Sequence, residues 1–161
     1  MTGFDFSRST LEDIDQYVMG KLVWHDQTLS HILIGHLMIE GLVEALIASR
    51  LPYPDRLFST RNLSFEAKLN LASSMDALTD GHAAAAKALN KLRNRYAHDR
   101  NFEISLGDLS PFQFGWSSDQ KKAFKLAGTK GVGEALQIAL IFLSFSFQAL
   151  LHVQKGPDTH T

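Results

Sequence analysis

Apolar residues recur every three or four positions along most of this chain, a spacing that predicts helices. After a nine-residue arm, Ser9 or Thr10 can cap a helix over 10–23, with Glu12 and Asp13 in its first turn, where the helix dipole favours negative charge. The stretch "HDQTLSHILIGHLMIEGLVEALIASRLPYPD" predicts a helix over about 26–50, ended by Pro52 and Pro54. It is apolar on most sides, so a central position is expected. "LSFEAKLNLASSMDAL" predicts a helix over about 64–78, capped by Ser64, with Leu63, Ala67, Leu71 and Leu78 at helical spacing. "TDGHAAAAKALNKLRNRYAHDRN" predicts another over about 81–98, with Asp80 as cap and the alanine run as helix former.

Residues 99–130 are the least regular. Aromatics mixed with Gly and Pro in "NFEISLGDLSPFQFGW" suggest an extended piece or short hairpin within 101–116, and "SSDQKKAFKLAG" reads as a capped helical turn or two. The last helix is predicted over about 132–154. Its apolar run, 135–151, is interrupted by Gln137, Ser144, Ser146 and Gln148 and sits at the low edge of membrane-span length, so it reads as a buried core helix. No repeat or interdomain linker is visible. The expectation is a single-domain, all-α bundle of about five helices over 1–161, with its core in about 10–154.

Composition narrows the function more than the fold. A chain of 161 residues can bury a real core. Its net charge of −1 provides no global basic field, so any nucleic-acid contact must come from a local patch. There is no cysteine, which excludes disulfides, thiolate metal sites and cysteine nucleophiles. The N-terminus, acidic and broken by polar residues, does not read as a signal peptide. A cytoplasmic location without membrane contact is expected.

The segment "LRNRYAHD", 92–99, closes the helix predicted over 81–98. At 100° per residue, Ala85, Leu89, Leu92 and Tyr96 fall on one side, which is the expected core face. The opposite strip carries Ala83, Ala86, Asn90, Asn94 and Ala97, flanked by Arg93 and His98 about 140° apart. Small residues there permit close approach of another backbone. If a second copy packed antiparallel about a two-fold axis through Ala83, Ala86, Asn90 and Ala97, both copies of Arg93 and His98 would rim one groove. The plainer account is that alanine is the best helix former.

"RNRYAH" resembles the Arg-x4-6-His motif of the HEPN superfamily, in the form with a polar residue after the arginine. The order of elements over roughly 26–154 is similar to the mannitol operon repressor family, a HEPN-like branch described as regulatory. The resemblance implies an all-α fold, a homodimer with the motif facing the partner, and a metal-independent endoribonuclease of toxin or defence type. It further implies that Arg93, Asn94 and His98 form the catalytic set. Some members carry a modifiable tyrosine two residues after the motif histidine; Arg100 stands there, so that form of control is not supported.

The chemistry is consistent with these residue types. Histidine titrates near neutral pH and can move a proton either way. Arginine can hold two phosphate oxygens at once. Lys91, Arg95 and Arg100 add local charge for an RNA backbone, partly offset by Asp99 and Glu103. No cofactor is needed. The plainer account of Arg93 and His98 is a solvated helix end making surface pairs. An RNA substrate, a cognate antitoxin or a regulatory protein are the partners this reading allows; the alternative is a non-catalytic interaction module.

Other candidates are weaker. His36, Glu40 and Glu44 form an i, i+4, i+8 polar stripe in a very apolar helix. No matching set on another helix suggests a di-metal site, so no metal is expected; buried charge must be paired, and Arg93 or Arg95 is the expected partner of Glu40 behind the site. His25 and His31 read as ordinary. "GTKGVG", 128–133, is wrongly spaced for a phosphate-binding loop and reads as a link into the last helix. Phe112, Phe114 and Trp116 could stack on bases, but more simply plug the edge of a core.

Overall fold

The computed structural model describes residues 27–59, 62–99 and 102–154. The helix expected over 10–23, together with Ser9, Thr10, His25 and Arg100, lies outside the described residues. The elements are α1 (Gln27–Arg50), α2 (Pro54–Phe58), α3 (Phe65–Ser74), α4 (Asp80–His98), a 3₁₀ helix (Leu106–Gln113), α5 (Ser118–Lys130) and α6 (Val132–Gln154). Among the described residues there is no strand, and the molecule is an all-α helical bundle.

α1 is the central element, as its all-round apolar character predicts. It touches α2, α3, α4 and α6, and its most extensive packing is with α6. Ile32, Ile39, Val43, Leu46 and Ile47 are fully buried, facing Leu136, Leu143 and Phe147 across one shared core. Each such side chain contributes roughly 1.5–3 kcal/mol of burial free energy. Gly35 sets the closeness of the α1–α6 crossing: a Cβ there would stand 2.8 Å from the Leu140 methyls. By length and composition α1 and Val132–Val153 could each cross a membrane. In the bundle each turns one side into the core and leaves apolar residues outside, Leu37 and Met38 on α1, Ile141 and Phe145 on α6.

Several expected boundaries hold and others move for identifiable reasons. Ser64 caps α3 by accepting the Ala67 N–H at 3.2 Å. The helix ends at Ser74, four residues early, because Asp76 turns left-handed (φ 54°) and the Ala77 N–H reaches back to the Ala72 carbonyl at 2.9 Å. Arg50, in the last turn of α1, donates to the carbonyls of Met75 and Asp76 at that end. The buried face of α3 is Phe65, Lys68, Leu69 and Ala72; Ala67 and Leu71 lie to its side, half-buried. α4 is capped by Thr79, whose hydroxyl accepts the His82 N–H, and Asp80 is the first helical residue.

The region 101–130 corrects the expectation most. Where an extended piece or hairpin was expected, Leu106–Gln113 is a 3₁₀ helix. The Ser105 N–H and hydroxyl both donate to the Asp108 carboxylate, at 2.8 and 2.7 Å, which fixes its first turn. Leu109 and Phe112, three residues apart, are fully buried on one side of that helix. α5 runs for 13 residues from a reciprocal Ser117–Gln120 cap. Phe112 is a core residue, while Trp116 meets Phe124 and Phe142 edge-on, closing the bundle as the plainer account of these aromatics had it.

Candidate functional site

α4 places Lys87, Lys91, Asn94 and His98 at i, i+4, i+7 and i+11, one stripe along its axis. α3 faces this stripe with Glu66 and Leu69. Between them is a groove of about 520 Å³, floored by Asn90 and closed at its far end by Arg95 and Asp99. Three cations against two carboxylates leave it mildly basic in an acidic chain.

Of the motif, Asn94 and His98 line this groove, but Arg93 does not. Arg93 points off another side of α4, where its Nη1 donates to the Asn94 side-chain oxygen at 3.3 Å. Within one chain the fold therefore separates the arginine from the histidine, as 140° of helix rotation requires. Lys91 and Arg95 are both in the groove wall. Arg95 is also a structural clamp: its guanidinium lies 3.7 Å from the Phe102 ring centroid and 3.5 Å from an Asp108 oxygen. Hydrogen bonds from Ser105, assisted by Arg95, hold the Asp108 carboxyl below its ordinary value.

The expected interface strip is only partly at the surface. Ala97 is exposed and Ala83 and Asn90 are half-buried, but Ala86 is fully buried in the chain's own core. Asn90 is tied to α1 by a hydrogen bond to His36. Ala86 has no surface left for a second copy, while Ala97 and part of Ala83 remain accessible.

Behind the groove lies a polar network across α1, α3 and α4. The ring of His36, 5% exposed, rests against Phe65 at a centroid distance of 4.3 Å, and its Nε2 is 3.2 Å from the Asn90 oxygen. Its Nδ1 faces a Glu40 oxygen at 3.9 Å. Glu40 is paired by Lys68, not by Arg93 or Arg95 as expected. The Lys68 ammonium lies 2.6 Å from both Glu40 and Glu44 and bridges them. Burial lowers the pKa of His36 despite the Asn90 bond and the Glu40 charge, so the neutral ring prevails. Burial acts the same way on Lys68, but its two carboxylate hydrogen bonds outweigh it and the pKa rises. Among the described residues no three His, Asp or Glu side chains converge as a metal site; the ammonium of Lys68 closes the His36, Glu40, Glu44 stripe.

Lys68 and Lys87 escape the sequence reading above. A signal for Lys68 was present: it falls on one helical face with Phe65, Leu69 and Ala72, an apolar face a lysine enters only with partners. Lys87 sits in an alanine run and had no such signal. His82 also escaped; it is buried, with Thr79 Oγ1 at 2.7 Å from Nδ1 and Ser146 Oγ at 3.0 Å from Nε2. No family model, curated protein or solved structure matches the chain.

Proposed function

We propose that this chain is an RNA-directed protein of the HEPN type, a metal-independent endoribonuclease acting as a cytoplasmic homodimer. The observation that carries the reading is the α3–α4 groove, where Asn94 and His98 of the motif stand in one wall with Lys87 and Lys91. Lysines along one wall suit the evenly spaced charges of a phosphodiester backbone. His98 is exposed and can reach a bound 2′-hydroxyl. In the proposed step, one His98 takes the 2′-hydroxyl proton as O2′ attacks phosphorus and the bond from phosphorus to O5′ breaks. The His98 of a second copy gives O5′ its proton. Arg93, outside the groove of its own chain, would stabilise the phosphorane across the dimer, with Ala97 as the exposed contact.

The test is cleavage of single-stranded RNA in excess chelator, with a 2′,3′-cyclic phosphate on the product. His98→Ala should reduce the rate about 10²–10⁴-fold, and Arg93→Ala about 10²–10³-fold, the scale of losing one oxyanion donor. Ala97→Glu should shift the light-scattering mass to monomer and abolish cleavage. A wild type that neither binds nor cuts RNA sinks the proposal.

One observation favours the non-catalytic interaction module as a second reading. α1 and α6 leave an apolar groove of about 390 Å³ lined by Ile34, Met38, Leu140, Ile141 and Phe145. Exposed apolar surface of this kind suits a regulatory protein or antitoxin. On that reading, mutation of Phe145 should abolish function while His98→Ala does nothing.

A further inference from the structure

The sharpest unexplained feature outside the motif is a buried histidine spent on a groove-lining asparagine. Asn90 lies on the floor of the α3–α4 groove, and among the described residues the one hydrogen-bond partner of its side chain is His36 on α1. The His36 ring cannot turn away, since it is buried, lies against Phe65 and has Glu40 beside Nδ1. The Glu40 carboxylate is itself held by Lys68. An amide oxygen accepts and never donates, so with Asn90 Oδ1 toward Nε2 the ring carries its hydrogen on Nε2. The amide nitrogen, on the other arm of the same planar group, is turned from His36 and has no hydrogen-bond partner among the described residues. Its two hydrogens are donors on the floor of a groove whose wall carries Lys87 and Lys91.

We infer that His36 is a positioning residue: it fixes Asn90 so that the amide NH₂ is presented to a phosphate oxygen of a ligand in the α3–α4 groove. The inference rests on the groove's reading as a phosphodiester site and adds to it a neutral donor of fixed direction beneath mobile lysine charges. Lysine ammonium groups give attraction with little geometry. A donor locked through three helices sets where the phosphate stops, and so where His98 meets the chain of a bound nucleic acid. His36 touches no ligand and acts only through Asn90.

The experiment follows the Asn90 side-chain NH₂ and the His36 ring nitrogens by ¹⁵N NMR of the full chain, titrated with inorganic phosphate and then with a single-stranded RNA oligonucleotide. The Asn90 NH₂ pair should shift with both, and neutral His36 should carry its proton on Nε2. His36→Gln, which keeps a donor at the Nε2 position, should hold RNA affinity within about twofold. His36→Leu should weaken it about tenfold, the scale of one lost hydrogen bond to a charged group. RNA binding with an unmoved Asn90 NH₂ would overturn the inference while the RNA reading stands. Phosphate shifts at Asn90 without RNA binding would do the reverse. A neutral His36 protonated on Nδ1 alone, or a folded His36→Leu with wild-type affinity, would also overturn it. If His36→Leu does not fold, the Asn90 shifts and the His36 tautomer in the wild type decide.

Discussion

His36 and His82 are both buried, both hydrogen-bonded and both packed on phenyl rings, yet their surroundings assign them different work. His82 is sealed. Hydroxyls of Thr79 and Ser146 take its two nitrogens, and Phe114 and Phe147 meet it edge-on at 4.8 and 4.9 Å. Both ring nitrogens are taken, and the partners, half-buried Ser146 on α6 and exposed Thr79 at the α4 cap, lie outside the α3–α4 groove. His36 gives one nitrogen to Asn90, and Asn90 opens on the groove. Burial lowers the pKa of both rings, against a Ser146 contact in one and an Asn90 contact in the other. A depressed histidine is therefore no mark of a site here. What separates the two is whether the hydrogen-bonded partner lines the groove: Asn90 does, and Thr79 and Ser146 do not.

The largest expected effect is at the sealed histidine. Phe147→Ala removes a fully buried ring from beside His82 and should cost about 3–5 kcal/mol of unfolding free energy, read by denaturant titration. RNA affinity of the folded fraction should not change. An affinity loss would join the two regions and break the contrast.

At the open network, Lys68→Met leaves Glu40 and Glu44 facing one another without their ammonium. The expected loss is on the order of 2 kcal/mol, below that of a fully enclosed pair because Glu44 keeps contact with water. Here RNA affinity should fall with stability, since the support of His36 and Asn90 is lost. Stability falling alone would place the network in the same class as His82.

The smallest effect is a pH dependence shared by both regions. Each histidine has a folded pKa below the ordinary 6.5, so between those values the unfolded chain binds more protons. Stability is therefore complete above about pH 6.5 and declines as pH falls through the window toward the folded values. Melting temperature followed from pH 7.5 to 5 should drop. Both His36→Gln and His82→Gln should flatten that slope, while only changes at His36 reach RNA binding. A slope untouched by either variant would remove both rings as its source.

Much of the fold was legible in local sequence. Helix ends at Arg50 and Gln154 and the Ser64 cap depend on prolines, side-chain oxygens and apolar period within a few residues, and they stand where expected. The 3₁₀ helix was not legible. Phe112, Phe114 and Trp116 alternate with a period of two and imitate a strand, whereas the period that controls burial is the three-residue step from Leu109 to Phe112. The face of α3 was misread because Leu63, Ala67, Leu71 and Leu78 also recur at helical spacing, whereas the buried face runs through Phe65, Lys68, Leu69 and Ala72.

The sequence by itself determined an all-helical chain, a central α1, and the placing of Asn94 and His98 one turn apart with Arg93 rotated away, because these follow from backbone propensity and 3.6-residue geometry. It identified the His36, Glu40, Glu44 stripe as needing a partner, because buried charge does. Only the tertiary structure decided that the partner is Lys68, that Ala86 is buried in the chain's own core, and that Asn90 joins a buried histidine to an open groove. Those contacts join residues 28 and 54 positions apart. Nothing local to either residue specifies such a pairing; the packing of the whole bundle does.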